Sequence, residues 1–283
     1  MIPFPWLGSK VGMLDVILPN IPPHEHYVEP FSGAATVFFA KPLARLNTIN
    51  DQDENIVTFF RVLQDPQKTQ ALLRRLKYTP YSRSEYRKAC QLLSSGRPIG
   101  DVVRAWAFYV AQSMSVSHSY YYDPRGTGFG HSRRATTVAY SSYLSRIRRL
   151  LEIASKLRMT QIENIDGVLL MEKTDSQNAF MFVDPPYISN TLRLKAKIYS
   201  SDYDDALHER LMDFLLRAKA KIMLASYPCE FYDSLLNRGW IRIDKAKFIT
   251  AVRVSHEASS PKRPRRTESI YLNYRPPQSQ LLL

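Results

Sequence analysis

Phe180-Met181-Phe182-Val183 is a continuous apolar run that stops at Asp184-Pro185-Pro186-Tyr187. A short apolar run without alternation reads as a strand buried on both faces, as in a helix-covered parallel sheet. In open α/β sheets, ligands bind outside the carboxyl ends of the strands. The run therefore delivers an acid, two prolines and an aromatic ring to the place where such folds do chemistry. The prolines stiffen the loop and remove two backbone donors. Their carbonyls remain as acceptors beside the Asp184 carboxylate. Such a set can hold an exocyclic amino group by its two hydrogens while Tyr187 stacks on the ring that bears it. A bare Pro-Pro turn would say less; the full pattern makes Asp184, Pro185, Pro186 and Tyr187 the candidate catalytic residues.

The rest of the chain surrounds this run with α/β alternation. Tyr27-Val28-Glu29 reads as a short strand and Pro30-Phe31-Ser32-Gly33 as a turn. Ala34 to Ala44 is helix-compatible, and Leu46 to Asp51 is a second strand ending in an acid. This is a βαβ-type opening. Gly33 lets the backbone approach a ligand closely. Asp51 follows it by 18 residues, near the spacing at which an acid caps a ribose after a Gly-rich turn. Apolar spacing predicts helix over about 54–115, and again over Ser141–Arg158 as an amphipathic basic helix. Ser113 to Thr137 is a long irregular stretch, with Asp123-Pro124-Arg125-Gly126 as a turn. Helices are expected at Ala206–Ala218 and Phe231–Asn237, and strands at Ala220–Ser226, Trp240–Ile243 and Ser269–Asn273. A basic loop, Pro261–Arg266, separates the last two strands.

The formal net charge is +13, and its distribution says more than its size. Between Arg74 and Arg158 there are 16 Lys and Arg against 4 Asp and Glu, so nearly the whole surplus lies in the middle third. Nine of the 17 tyrosines fall between Tyr78 and Tyr143. Cations for phosphates interleaved with rings that stack on bases suit a nucleic acid. No stretch approaches the apolar length of a membrane span. Met1 to Pro5 has neither the basic nor the apolar region of a signal peptide. Cys90 and Cys229 lie far apart without a CxxC partner, which argues against a disulfide framework or zinc site and suits a reducing cytoplasm. None of the six histidines has metal-ligand spacing, so no metal is expected.

Several segments in order resemble the D12 class (Dam-like, alpha group) of DNA adenine-N6 methyltransferases. Trp6-Leu7-Gly8-Ser9-Lys10 is similar to the family's Trp-x-Gly-Gly-Lys opening, and Glu29-Pro30-Phe31-Ser32-Gly33-Ala34-Ala35 to its Glu-Pro-Phe-x-Gly-x-Gly turn. Asn50-Asp51, Ile165-Asp166-Gly167 and Asp184-Pro185-Pro186-Tyr187 follow, and then His208-Glu209-Arg210-Leu211 and the strand Lys221 to Ser226. The resemblance covers nearly the whole chain. It implies a Rossmann-like, S-adenosylmethionine-dependent methyltransferase sheet of α/β class with a mostly helical target-recognition insertion. The catalytic domain would be residues 1–60 and 150–283, and the insertion 61–149. The implied cofactor contacts are Trp6, Lys10, Glu29, Pro30, Phe31, Gly33, Asp51 at the ribose, Asp166 at the adenine amino group, and Asp184. Two glycines of the family pattern are Ser9 and Ala35 here; both are small, and a left-handed backbone at either would be strained.

The expected partner is double-stranded DNA. Arg125, Arg133, Arg134, Lys262, Arg263, Arg265 and Arg266 are the candidate DNA contacts. The family's base-reading pattern is not found between Ser113 and Ser132, so no recognition sequence carries over. A cytoplasmic monomer of bacterial or phage origin is expected, and a cognate restriction enzyme is left open. Three alternatives stand beside this reading: methylation of cytosine N4, methylation of RNA, and a DNA-binding relative that has lost catalysis.

Overall fold

The uninterrupted apolar run forms a strand, Ala179–Val183, in which all five side chains are buried. The structure, a computed structural model, describes residues 2–116, 128–130, 136–187, 201–248 and 265–277. Short 3-10 turns aside, its elements are α1 (Leu14–Ile17), β1 (His26–Glu29), α2 (Thr36–Ala40), β2 (Leu46–Asn50), α3 (Glu54–Gln64) and α4 (Pro66–Lys77). Next come α5 (Arg83–Ser94), α6 (Asp101–Met114), α7 (Thr136–Leu157), β3 (Gln161–Glu163), α8 (Gly167–Thr174) and β4 (Ala179–Val183). The chain continues through α9 (Ser201–Arg217), β5 (Lys221–Ser226), α10 (Glu230–Asp233), β6 (Ile241–Phe248) and β7 (Arg265–Leu272). They form two compact units, one of Met1–Lys10 with Phe31–Gly167, the other of Val11–Pro30 with Val168–Leu283.

In the second unit β4 runs parallel to both β1 and β5. A strand flanked on both sides and covered on both faces must be apolar throughout, which is why its sequence does not alternate. Beyond β5 the pairing turns antiparallel, through β7 to β6. The β6–β7 ladder runs from Ile241↔Leu272 to Phe248↔Arg265. Both strands are therefore longer than the apolar residues alone suggest. Arg265 and Arg266, expected in a basic loop, belong to β7 and pair with Phe248 and Lys247. Alternating polar residues such as Lys245 and Thr267 continue a ladder without an apolar signal.

The first unit joins the parallel pair β2–β3 to a set of helices. The helical signal over 54–115 resolves into four helices, three of which begin at a side-chain cap. Asp53 caps α3 by accepting from Asn55 N. Asp65 caps α4 through Gln67 N and Lys68 N, with Pro66 in the first turn, where its missing N–H costs nothing. Ser82 caps α5 through Glu85 N. The central helix is α6, whose residues Ala105 to Met114 are all buried. Phe4 reaches into this core, with its ring edge-on to Phe59 and Phe108. That contact ties the N-terminal segment to the helices.

Not every cation of the basic middle third faces solvent. The Lys156 ammonium donates to the carbonyls of Phe38 (2.7 Å) and Lys41, closing the C-terminal end of α2. Arg104 bonds Asn55 Oδ1 and lies 3.4 Å from Glu54.

Candidate active site

The first unit holds the turn after β1 and the acids that follow β2 and β3. Gly33 has φ +48, a left-handed value that only glycine adopts freely. A methyl group at this position would also meet Trp6 Nε1 at 2.5 Å. The Trp6 ring therefore lies directly on the turn, and two independent constraints require glycine. Gly33 N donates to Asp51 Oδ2 at 2.8 Å, and Asp53 N to Asp51 Oδ1 at 2.9 Å. These amides orient the Asp51 carboxylate. Burial, with Asp53 nearby, nevertheless pushes its pKa up to about 6.

The loop after β3 is stitched to the end of β2 by side-chain amides. Asn50 donates to Ile165 O (3.0 Å) and accepts from Ile165 N (2.9 Å), like one rung of a ladder continued past the strands. Asn164 donates to Asp51 O at 2.7 Å. Asp166 is thereby held near Gln52, whose amide donates to Asp166 Oδ2 at 3.3 Å. The next residue, Gly167, starts α8 against the Phe31 ring; a Cβ there would lie 2.4 Å from it. Sequence reasoning named Asp51, Asp166, Phe31 and Gly33 but missed Asn50 and Asn164. Their only sequence signal is amide side chains beside strand-ending acids.

Lys10 is buried, and its ammonium donates to Gly8 O at 2.9 Å, so it shapes the N-terminal loop from inside. Of the two departures from the glycine pattern, Ser9 shows no positive φ, and its hydroxyl meets that of Thr36 at 3.0 Å. Ala35 is left-handed at φ 49. A left-handed non-glycine residue costs about 1–2 kcal/mol. Ala35→Gly would relieve that strain but lose a buried methyl worth about 0.8 kcal/mol. It would also enlarge the unfolded ensemble, at about 0.4–1 kcal/mol. Urea denaturation of Ala35→Gly should therefore move stability by less than about 1 kcal/mol in either direction. A loss well beyond that would show that the methyl packs more tightly than this balance assumes.

In the second unit, Pro185 is buried behind β4, while Asp184, Pro186 and Tyr187 are half-exposed. The Tyr187 hydroxyl donates to Glu268 Oε1 at 2.6 Å, and Glu268 is a buried carboxylate of β7. The Tyr187 ring also meets that of Tyr227, just after β5, at a centroid distance of 4.4 Å. Burial and the charges of Asp184 and Glu268 push the Tyr187 phenol well up, so it stays a neutral donor. Glu268 and Tyr227 were not among the residues named from the sequence. Glu29 and Pro30 are buried, and Glu29 accepts from the Tyr27 hydroxyl at 2.7 Å.

Arg125, Arg133, Arg134, Lys262 and Arg263 lie outside the described residues. Among the described residues, no group of three His, Cys, Asp or Glu is placed to hold a metal ion. No described helix is long and apolar enough to cross a membrane.

Comparison with known proteins bears on this arrangement. A segment of 105 residues, 37% of the chain, is 28% identical to the DNA N-6-adenine-methyltransferase of Escherichia phage P1; it spans only 14% of that protein. The sequence profile of the D12 class N6 adenine-specific DNA methyltransferases matches residues 6–249. That span runs from Trp6 through Asp184–Tyr187 to the end of β6, and the mixed α/β architecture with mostly parallel strands agrees with the expected Rossmann-like sheet. The chain belongs to the D12 class N6 adenine-specific DNA methyltransferase family.

Proposed function

We propose that this enzyme moves a methyl group from S-adenosylmethionine to N6 of an adenine flipped out of duplex DNA. The observation that carries the reading is Asp184-Pro185-Pro186-Tyr187 at the carboxyl end of a buried parallel strand, with its aromatic ring held through Glu268. S-adenosylmethionine, when bound, supplies a methyl group activated by a sulfonium. The first unit fits that cofactor. Its two carboxylates suit ribose hydroxyls and an adenine amino group, and Phe31 and Trp6 offer aromatic side chains beside them. Asp51 would accept from the ribose and Asp166 from the adenine amino group, and Trp6, Lys10, Glu29, Pro30, Phe31 and Gly33 are the other proposed cofactor contacts.

Asp184 and the Pro185 carbonyl would each accept one hydrogen of the target amino group. This raises nitrogen lone-pair density toward the methyl carbon. Transfer of the methyl group to that nitrogen would leave it with an excess proton, which Asp184 would accept. Tyr187 would stack on the base, whose N6 is unreachable inside the helix. Catalysis would then be mostly positioning and electrostatics. Residues 61–149 would serve target recognition and the remainder catalysis, with Arg125, Arg133, Arg134, Lys262, Arg263, Arg265 and Arg266 contacting DNA. The protein is read as a cytoplasmic monomer.

The test is mass spectrometry of nucleosides from plasmid DNA incubated with the protein and cofactor. N6-methyladenine is the expected product. N4-methylcytosine, or no methylated base from a correctly folded preparation, would overturn the assignment.

Asp51 adds a pH prediction. Its folded pKa of about 6 lies above the ordinary carboxylate value, so between the two the folded state holds the extra proton. The group's contribution to stability thus falls as pH rises through that window. Ribose hydroxyls donate best to the ionised form. Cofactor affinity should therefore strengthen as pH rises toward about 6 and weaken up to about tenfold per pH unit below it. Calorimetric titration with the cofactor at several pH values checks this, and Asp51→Asn should flatten the dependence.

A further inference from the structure

Outside the residues discussed so far, the helices of the first unit enclose a cleft of about 630 Å³ between α4, α5 and α6. Its floor is the buried Trp106, whose indole N–H donates to Thr79 Oγ1 at 2.8 Å. Three cations converge on it from two helices: Arg74 and Arg75 from α4 and Lys88 from α5. The Arg75 guanidinium lies 4.5 Å from the Trp106 ring centroid, and the Lys88 ammonium 5.7 Å. The rim carries Tyr78, which is 73% exposed, with the Lys77 ammonium 5.7 Å from its ring.

These cations differ from others in the same unit. Lys68 pairs with Asp101, Arg104 with Glu54, and Lys156 with backbone carbonyls. Arg74, Arg75, Lys77 and Lys88 make no ion pair among the described residues. Among the described residues lining the cleft the only acid is Glu85, at the third position of α5, where a carboxylate favours the helix start. The dipole of α4 alone would favour Arg74, Arg75 and Lys77 in its last turn. It does not account for Lys88, which reaches the same concavity from another helix. Like charges gathered around a hollow repel unless an anion is shared between them.

We propose that this cleft binds the sugar–phosphate backbone of duplex DNA, as a sequence-independent contact separate from the residues that hold the target base. The proposal rests on the reading that duplex DNA is the substrate. An open groove with cations on its walls, a cation-covered indole floor and one exposed tyrosine on its rim suits a polyanionic chain running through it.

The test is Arg74→Gln combined with Lys88→Gln in the full chain. Both side chains are exposed, and Arg75 keeps its place on Trp106. Affinity for a fluorescein-labelled duplex is read by anisotropy across a salt series. A control variant, Lys173→Gln with Arg238→Gln, removes the same charge at exposed positions elsewhere. The cleft variant should lower the slope of log affinity against log salt by about 0.9 per lost phosphate contact, close to two in all. The control should leave the slope unchanged. An unchanged slope in the cleft variant, an equal loss in the control, or no binding of duplex by the unaltered chain would overturn the proposal. Anisotropy requires no turnover. Salt-dependent binding without methyl transfer would therefore overturn the catalytic reading and leave the cleft standing.

Discussion

Asp184→Ala should lower the turnover number for methyl transfer by about 10³-fold, while cofactor affinity changes little. The carboxylate is asked to do two things at once. In the proposed reaction it would accept an amino hydrogen in the ground state, and it would stabilise the positive charge that develops on nitrogen as the N–C bond forms. Only the second interaction grows along the reaction, so its loss falls on turnover rather than on binding. Asp184→Asn is the graded control. It keeps an acceptor oxygen but lacks the charge, and should retain more activity than Ala and far less than Asp. Asp184 is half-exposed at the end of β4, so neither change leaves a core cavity, and thermal unfolding should stay near that of the unaltered chain. The measurement is transfer of a radiolabelled methyl group under single-turnover conditions, with calorimetry of the cofactor alongside. Retained turnover in Asp184→Ala would remove this residue from the chemistry.

The contrast between Asp184 and Glu268 shows what this sequence makes legible. Asp184 follows an apolar strand and precedes two prolines, so its role is written in four neighbouring residues. Glu268 lies in β7, 81 residues beyond Tyr187, among polar neighbours that give no sign of burial. Only the register of β5, β7 and β6 brings it to the hydroxyl. The same distinction explains the strand ends. The buried strand β4 is read within one residue, whereas β6 and β7 extend well past their apolar cores, because a ladder with polar side chains leaves no periodic apolar trace. In the helical region the apolar spacing is legible over Ile56–Leu63 and Val102–Val110, the cores of α3 and α6. The breaks are marked by single capping residues, Asp65 between α3 and α4 and Ser82 at the start of α5, which periodicity does not weigh. Charge was legible in sum and not in use. Lys156 counts equally with Arg74 in the basic surplus, yet one closes the end of a helix and the other stands on the rim of a cleft.

Glu268→Ala tests whether the aromatic ring of the catalytic motif must be held rather than merely present. The ring is fixed at two points, by the 2.6 Å bond from its hydroxyl to Glu268 and by contact with Tyr227. A hydrogen bond to a charged acceptor is worth about 1.5–3 kcal/mol, and about 1.4 kcal/mol is a factor of ten. If that bond keeps the ring parallel to an incoming base, its loss should lower kcat/KM for DNA by about 10- to 100-fold. The loss should fall mainly on KM, because in the proposed reaction stacking would bind the flipped base before and during transfer alike. Glu268→Gln retains an acceptor oxygen at the same reach and should recover most of the activity. Tyr187→Phe keeps the ring but removes the donor, leaving Glu268 buried without this bond, and should resemble Glu268→Ala in KM while costing about 1–3 kcal/mol of stability. A readout that a merely structural role would not move is the fluorescence of 2-aminopurine at the target position, which brightens when the base leaves the stack. Glu268→Ala should bind duplex more weakly, in line with its KM, and at saturating protein should yield less of that brightening. If brightening and KM are both unaltered in Glu268→Ala, the bond to Tyr187 serves the sheet alone and the ring finds its orientation from the base itself.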